Sequence, residues 1–266
     1  LRKVSYRMTK LIQITDLHLS DPDETLWGLS PHKRLMSALE DIASFHSDAK
    51  ACVITGDLTD GASLKALLWL RQILSDFPIT TYLMIGNHDV RSVFFEAFAN
   101  YPRDKNGFLQ YSFDIAESRF FCLDTKKDDP VSSGQYCEER LAWLEVELQR
   151  TEKDVYIFMH HPPFDIGLPY MDRIKLDEAV TFGKLIANYK NIRHIFFGHV
   201  HRAVFLKWQG ITCSACPGIN HQVPLVSGSV STNYSIEPPM YAVIELLDGD
   251  VRVNLDAYQD RQPVLK

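Results

Sequence analysis

No apolar run in this chain approaches the roughly 20 residues that a membrane-spanning helix requires, so no partner bilayer is expected. The opening segment, LRKVSYRMTK, carries basic residues, but the apolar run behind it covers only Leu11 to Ile14 before Asp16 interrupts it. That is too short for the core of a signal peptide. Met8 reads as the native start, with the seven residues before it an extension. Cysteine is sparse as well: five residues, at 52, 122, 137, 213 and 216, scattered through apolar or mixed sequence. An odd number of dispersed thiols suits a reducing cytoplasm and not a disulfide framework. Cys213 and Cys216 form a lone CxxC, two ligands short of a structural zinc. Basic charge is also lacking. The net charge of −6, the pI near 5.9 and the absence of a dense Lys/Arg stripe argue against nucleic acid as a partner. The expected location is cytoplasmic.

What is present is ordinary globular sequence. The chain has 266 residues, 45% of them hydrophobic, enough to bury a core without disulfides. KLIQIT (10–15), KACVIT (50–55), TTYLMI (80–85), DVYIFM (154–159) and RHIFF (193–197) are short, β-branched or aromatic, and end at glycine or polar residues. They read as buried strands. Between them, Leu35, Leu39 and Ile42 repeat at helical spacing, as do Leu67, Leu70 and Leu74, and Leu141, Leu144 and Leu148. The β-α-β-α-β order predicts an α/β fold with a largely parallel sheet. A hairpin is expected over 108–124, turning at Ala116 and Glu117. After His201 the sequence is strand-rich without a clear helix, which predicts a second, mainly antiparallel sheet. One domain is expected over 1–266, with a motif-bearing α/β part at 8–201 and a strand-rich part at 202–266.

Ligands of open α/β sheets bind beyond the carboxyl ends of the strands. At those positions the sequence places Asp16-Leu-His18, Gly56-Asp57, Gly86-Asn87-His88-Asp89, His160-His161-Pro-Pro and Gly198-His199-Val-His201. In extended chain His199 and His201 would face the same way. Carboxylates and imidazoles together suit divalent first-row transition ions, and the absence of cysteine argues against structural zinc. So many ligands fit two ions sharing one carboxylate better than a single ion. Each motif alone can be a turn or a helix cap. Five such motifs in succession, each at a strand end, read as a metal site.

These motifs, in this order, resemble the signature of calcineurin-like metallophosphoesterases. The resemblance implies an αββα four-layer sandwich of two mixed sheets with flanking helices. It also implies a dinuclear metal site: Asp16, His18, Asp57 and His201 for one ion, and Asp57, Asn87, His160 and His199 for the other. Two divalent cations (Mn, Fe or Zn) are the implied cofactors. HH-Pro-Pro at the fourth motif and GINHQVP (218–224) are most similar to bacterial cyclic-nucleotide phosphodiesterases and glycerophosphodiesterases. GNHD and GDLTDG depart from the Ser/Thr protein phosphatase branch. In the family, His88 pairs with the Asp three residues after the bridging one, here Asp60.

The implied reaction is attack of a metal-bridging hydroxide on a small phosphodiester. Four cationic charges, less Asp16, Asp57 and a hydroxide, leave +1, which a phosphodiester monoanion neutralises. Asn87, His88 and His221 are expected to touch substrate, with His88 stabilising phosphoryl oxygens or protonating the leaving alkoxide. Asn220, His221 and Gln222 either present polar groups to a ribose or glycerol hydroxyl or hold their own turn. His161 has no motif role, and His32, His46 and His194 read as surface or packing residues. The segments 164–175 and 217–239 are expected to roof the metals. A homo-oligomer is expected, with FDIGLPYM (164–171) as interface or as a loop packed on its own domain. A broad phosphomonoesterase, a DNA-repair-type nuclease and a non-catalytic metal-binding scaffold are the alternative functions.

Overall fold

The computed structural model describes residues 8–128, 132–226, 233–247 and 249–260. The segment before Met8 and parts of the irregular stretches 125–137 and 217–239 lie outside them. The first sheet contains β1 (Met8–Ile14), β2 (Ala51–Thr55), β3 (Thr81–Met84), β10 (Tyr241–Leu247) and β11 (Asp250–Asp256), in the order β11-β10-β1-β2-β3. The second contains β4 (Tyr111–Ile115), β5 (Ser118–Cys122), β6 (Asp154–Met159), β7 (Ile192–Phe197), β8 (Val204–Trp208) and β9 (Ile211–Ala215). Its order is β4-β5-β6-β7-β9-β8. Both sheets are mixed. β1, β2 and β3 run parallel, as do β5, β6, β7 and β9, while β10, β11, β4 and β8 pair antiparallel with their neighbours.

The five motif strands therefore do not share one sheet: three lie in the first and two in the second. Nor do the strands after His201 build a sheet of their own. β8 and β9 extend the second sheet, and β10 and β11 return to pair with β1. The physical reason is burial on both faces. A strand such as β1, with Leu11, Ile12 and Ile14 all fully buried, needs neighbours on both edges, and the C-terminal hairpin supplies one. The hairpin expected at 108–124 forms as β4 and β5, with Ala116 in the left-handed region at its turn.

The helices expected from leucine spacing are α1 (Pro31–Phe45), α2 (Leu64–Asp76) and α4 (Glu138–Gln149). Ser30 and Ser63 cap the first two, accepting from the amides of Lys33 and Ala66. Shorter helices, α3 (Arg91–Ala97), α5 (Pro169–Asp172) and α6 (Ala179–Ile186), offer too few turns for a periodic signal.

Side chains on the second sheet alternate between two cores, as a pleated strand requires. Phe120, Tyr156, Phe158 and Phe196 face the first sheet, whose other face carries α1, α2 and α3. Phe121, Val155, Ile157, Met159, Ile195 and Phe197 face α4, α5 and α6. The layers are thus helix, sheet, sheet, helix. Each fully buried residue of this kind stabilises by about 1.5–3 kcal/mol. Buried Gln13 ties the sheets together near the site: its amide donates to Thr55 Oγ1 and to the carbonyl of Phe197, each at 3.1 Å.

Candidate metal centre and active site

The carboxyl ends of β1, β2, β3, β6 and β7 converge at one end of the sandwich, and the motif residues meet there. Asp57 stands at the centre. Its Oδ2 is 3.6 Å from His18 Nε2 and 3.3 Å from His160 Nε2. On one side, His201 Nε2 lies 3.2 Å from His18 Nε2 and 3.3 Å from Asp16 Oδ1. On the other, Asn87 Oδ1 lies 3.3 Å from His160 Nε2. Asp16, His18, Asp57, His160, His199 and His201 are all buried.

The backbone bends sharply to achieve this. Asp16, His18, Asp57, His199 and His201 all have positive φ, between 45° and 69°. For residues with a Cβ this left-handed conformation is strained, and such strain gathers at functional sites. His199 and His201 consequently do not act as neighbours on an extended strand facing one point. His201 joins Asp16 and His18, while His199 groups with His160. Two glycines permit the close packing. A Cβ on Gly86 would sit 2.2 Å from Asp57 Oδ1, and one on Gly56, itself at φ +101°, would sit 2.5 Å from His160 Nδ1.

The hydrogen bonds around the cluster fix which ring nitrogens are free. His160 Nδ1 donates to the Thr55 carbonyl at 2.7 Å, and His201 Nδ1 to the His221 carbonyl at 2.8 Å. His18 Nδ1 faces Asp60 Oδ1 at 3.2 Å. With protons on those atoms, the Nε2 lone pairs of all three rings point into the cluster. There they meet one another and the carboxylates at 3.2–3.6 Å, a crowd of electron-pair donors that only shared protons or cations reconcile. His199 Nε2 is buried and has no hydrogen-bond partner among the described residues. Buried polar atoms without partners are costly. Cations among them remove both costs, and imidazole nitrogen with carboxylate oxygen is the donor set for divalent transition ions. The residues fit such ions.

Protonation follows the same geometry. Burial pushes His199 down to about 3 and drives His161 well below the usual imidazole range, with the neighbouring histidines adding to the effect. Burial also opposes the charge on His160, but the carboxylates of Asp57 and Asp16 outweigh it and raise the group to about 9. For Asp16 burial would favour the neutral acid, yet His201 and His160 hold its carboxyl below the ordinary range. Asp60 is lowered by its hydrogen bonds to His18 and His88.

His88 sits at the rim. Its backbone amide donates to Asp57 Oδ1 at 2.9 Å, and its Nδ1 lies 3.1 Å from Asp60 Oδ1. Burial works against its charge, but Asp57 and Asp60 prevail and raise it to about 9. His161 adjoins His160 and His199 without a free nitrogen. Nδ1 accepts from Thr125 Oγ1 at 2.8 Å and Nε2 donates to the Ser132 carbonyl at 3.1 Å. Its ring is a wall of the site.

A cavity of about 160 Å³ opens over the cluster, lined by His18, Asp57, Asn87, His88, His199, His201 and His221. Tyr170, Met171 and Ile174 of the 164–175 segment and His221, Val223 and Tyr234 of the 217–239 segment form its walls, as the roof reading requires. Trp27, which sequence reasoning missed, also lines it. The one signal for it is an isolated tryptophan in the polar loop between β1 and α1. Gln222 does not face the cavity. It closes its own turn, accepting from the Gly218 amide at 3.0 Å and donating to the Gly218 carbonyl at 2.7 Å. Asn220 is buried with its carbonyl held by Arg34 at 2.7 Å. FDIGLPYM likewise packs inward, with Phe164, Leu168 and Met171 buried in the second core, so it is not an exposed interface. Of the other histidines, His194 is buried against Ser214, His32 packs on Trp69, and His46 lies 3.7 Å from Asp256.

Residues 9–203 match the family model described as calcineurin-like phosphoesterase. The chain belongs to that family. Among curated relatives, a probable cyclic nucleotide phosphodiesterase of Rhodopseudomonas palustris is 35% identical over 89% of this chain and 88% of its own. The 3′,5′-cyclic adenosine monophosphate phosphodiesterase of Escherichia coli K12 is 26% identical over 78% and 75%. A glycerophosphodiester phosphodiesterase of Enterobacter lignolyticus is 24% identical over 86% and 84%. Among solved structures, a dimetal phosphatase from Danio rerio superposes with a TM-score of 0.66 at 17% identity, over 92% of this chain and 98% of that one. This likeness shows a shared fold. No helix among the described residues is long and apolar enough to cross a membrane.

Proposed function

We propose that the protein is a dinuclear-metal phosphodiesterase that hydrolyses small phosphodiesters, a cyclic nucleotide or a glycerophosphodiester. The observation that carries this reading is the single oxygen, Asp57 Oδ2, held between His18 and His160. A carboxylate so placed can serve two cations at once. Asp16, His18, Asp57 and His201 would hold one, and Asp57, Asn87, His160 and His199 the other. Mn, Fe and Zn all suit this donor set. Two bound divalent ions supply Lewis acidity at the phosphoryl group. The named relatives, cyclic nucleotide and glycerophosphodiester phosphodiesterases, support the substrate class.

The chain's own residues do the remaining work. Thr55, Asp60 and His221 hold the Nδ1 protons of His160, His18 and His201, so each ring offers Nε2 to the centre. His88 keeps Nδ1 on Asp60 and carries its proton at neutral pH, which leaves its Nε2 to donate to a phosphoryl or leaving oxygen. The small volume of the cavity favours a compact substrate. The net charge of −6 weighs against a nuclease acting on long polyanions. We propose a single domain, because the two sheets supply the centre jointly. A cytoplasmic location is consistent with five free thiols. A homo-oligomer has support in Phe205, 56% exposed on the edge strand β8; light scattering tests it.

The function is tested by stripping the protein of metal, reloading it with Mn, Fe or Zn, and comparing kcat/KM for cyclic AMP, a glycerophosphodiester and an aryl phosphomonoester. Diester preference with metal-dependent turnover is expected. A monoester advantage above tenfold makes the protein a phosphatase instead.

A further inference from the structure

The mouth of the cavity carries an aromatic surface that the metal cluster does not use. Trp27 stacks on Tyr234, with ring centroids 4.1 Å apart and planes 29° from parallel. His221 meets both edge-on, at 4.3 Å from Trp27 and 4.7 Å from Tyr234. The same His221 ring touches His18 at 4.7 Å and His201 at 4.3 Å. A continuous path of rings thus leads from two candidate ligands to the rim. There, Trp27 and Tyr234 remain 49% and 45% exposed, although both line the cavity. Adjoining apolar rings left exposed at the rim of a cavity form a patch of the kind that marks a ligand-binding surface.

The backbone under Trp27 strengthens the point. Leu26 and Leu29 exchange both backbone hydrogen bonds, at 2.8 and 3.0 Å, so Trp27 and Gly28 form a two-residue turn. Both have positive φ, +51° and +78°. Asn-Gly is the natural pair for such a turn, and a tryptophan in its first position is strained. The strained position aims an indole at the cavity mouth.

We propose that Trp27 and Tyr234 form a stacking platform for the base of a nucleoside phosphodiester, which selects nucleotide substrates over glycerol-based ones. The proposal rests on the phosphodiesterase reading and narrows it. With its phosphate at the cluster, a cyclic nucleotide directs its base outward along the His221 wall and extends the Trp27–Tyr234 stack. A glycerophosphodiester has no ring to place there. Base–aromatic stacking is sequence-tolerant, because every base has a π-face, so the platform recognises the presence of a base and not its identity.

Trp27→Asn is the informative variant. Asparagine suits the left-handed position better than tryptophan, so it removes the ring without loosening the turn. In the metal-loaded enzyme, Trp27→Asn and Tyr234→Leu should each raise KM for 3′,5′-cyclic AMP by about 5- to 100-fold. Their loss with glycerophosphoethanolamine should be at least about fivefold smaller than with cyclic AMP, and Trp27→Phe should recover most of the cyclic AMP loss. Calorimetric titration with AMP gives a readout independent of turnover, with the same ordering of variants expected. Equal losses on both diesters, or AMP affinity unchanged in Trp27→Asn, overturn the platform. Absence of activity on both diesters in wild type overturns the phosphodiesterase reading, while AMP binding still decides whether the rings hold a base.

Discussion

Nδ1 of His88 lies 3.1 Å from Oδ1 of Asp60, and the same oxygen is 3.2 Å from Nδ1 of His18. One carboxylate therefore orients two rings with different tasks. His88→Ala should lower kcat by about 10²–10⁴-fold and leave the metal content near wild type. Asp60→Ala should do more, lowering kcat and also weakening metal binding by about 10–100-fold through His18. Metal titration beside steady-state kinetics separates the two. Full metal retention in Asp60→Ala at wild-type affinity would show that His18 needs no such support.

Much of this centre is legible in the sequence because each motif is short and follows an apolar strand. Asp16, Asp57, Asn87, His160 and His199 could be placed at strand ends from local pattern alone. Sheet membership could not. Nothing in KLIQIT or DVYIFM says which strand pairs with which, since buried strands of either sheet share the same composition. Nor does sequence reveal five left-handed residues among the candidate ligands, for only glycine advertises that conformation. Here the cluster's long-range bonds impose it, such as the His199 amide on Asp16 Oδ2 at 3.1 Å. Gln222 was ambiguous for a related reason. A side-chain amide serves a turn or a ligand equally well until its partners are known.

Removal of metal should destabilise the fold as well as abolish turnover. Without cations the inward Nε2 atoms of His18, His160 and His201 and the carboxylates of Asp16 and Asp57 crowd one buried volume. A cation at 100 times its Kd stabilises the folded state by about 2.7 kcal/mol. Chelator-treated protein should melt lower and regain its Tm on reloading. Asp57→Ala should lose most of both ions, and Asn87→Ala mainly one, since its carbonyl is an uncharged ligand. Two tightly held ions in Asp57→Ala would sink the bridging role.

His194 should make stability sensitive to mild acid. It is 3% exposed on β7, with Nε2 2.8 Å from Ser214 Oγ and its ring stacked on Phe196. Burial depresses it from 6.5 to about 4, so the unfolded chain binds this proton more readily. Its contribution is complete above pH 6.5 and is lost as pH falls towards 4. A shift of this size corresponds to about 3 kcal/mol over the window. His194→Gln should flatten the urea midpoint between pH 6.5 and 4 relative to wild type. Parallel pH profiles for the two proteins would mean that His194 carries none of the dependence.

Asp89 should be among the most costly residues to remove, although it does not line the cavity. It is 1% exposed, and four donors converge on it. Oδ2 accepts from the amides of Leu58 and Gly86 at 3.0 and 2.9 Å. Oδ1 accepts from the amide and the hydroxyl of Thr59, both at 2.9 Å. These bonds join the turn that carries Asp57 to the turn that carries Asn87 and His88. Asp89→Ala strands three backbone amides and a hydroxyl in the interior, each costing about 1–3 kcal/mol when unsatisfied. Relaxation and entering water recover part of this, so a net loss of about 3–5 kcal/mol is expected, a large share of ordinary domain stability. Asp89→Asn should fall between, because whichever way its amide turns, an NH₂ group meets two donors. Both variants should also bind metal less tightly, since Asp57 and Asn87 then lose their common anchor. Urea unfolding of the metal-free proteins isolates the structural part, and metal titration under native conditions measures the rest. If Asp89→Ala unfolds within about 0.5 kcal/mol of wild type, the spread of ordinary surface substitutions, the two turns are held by something other than this carboxylate.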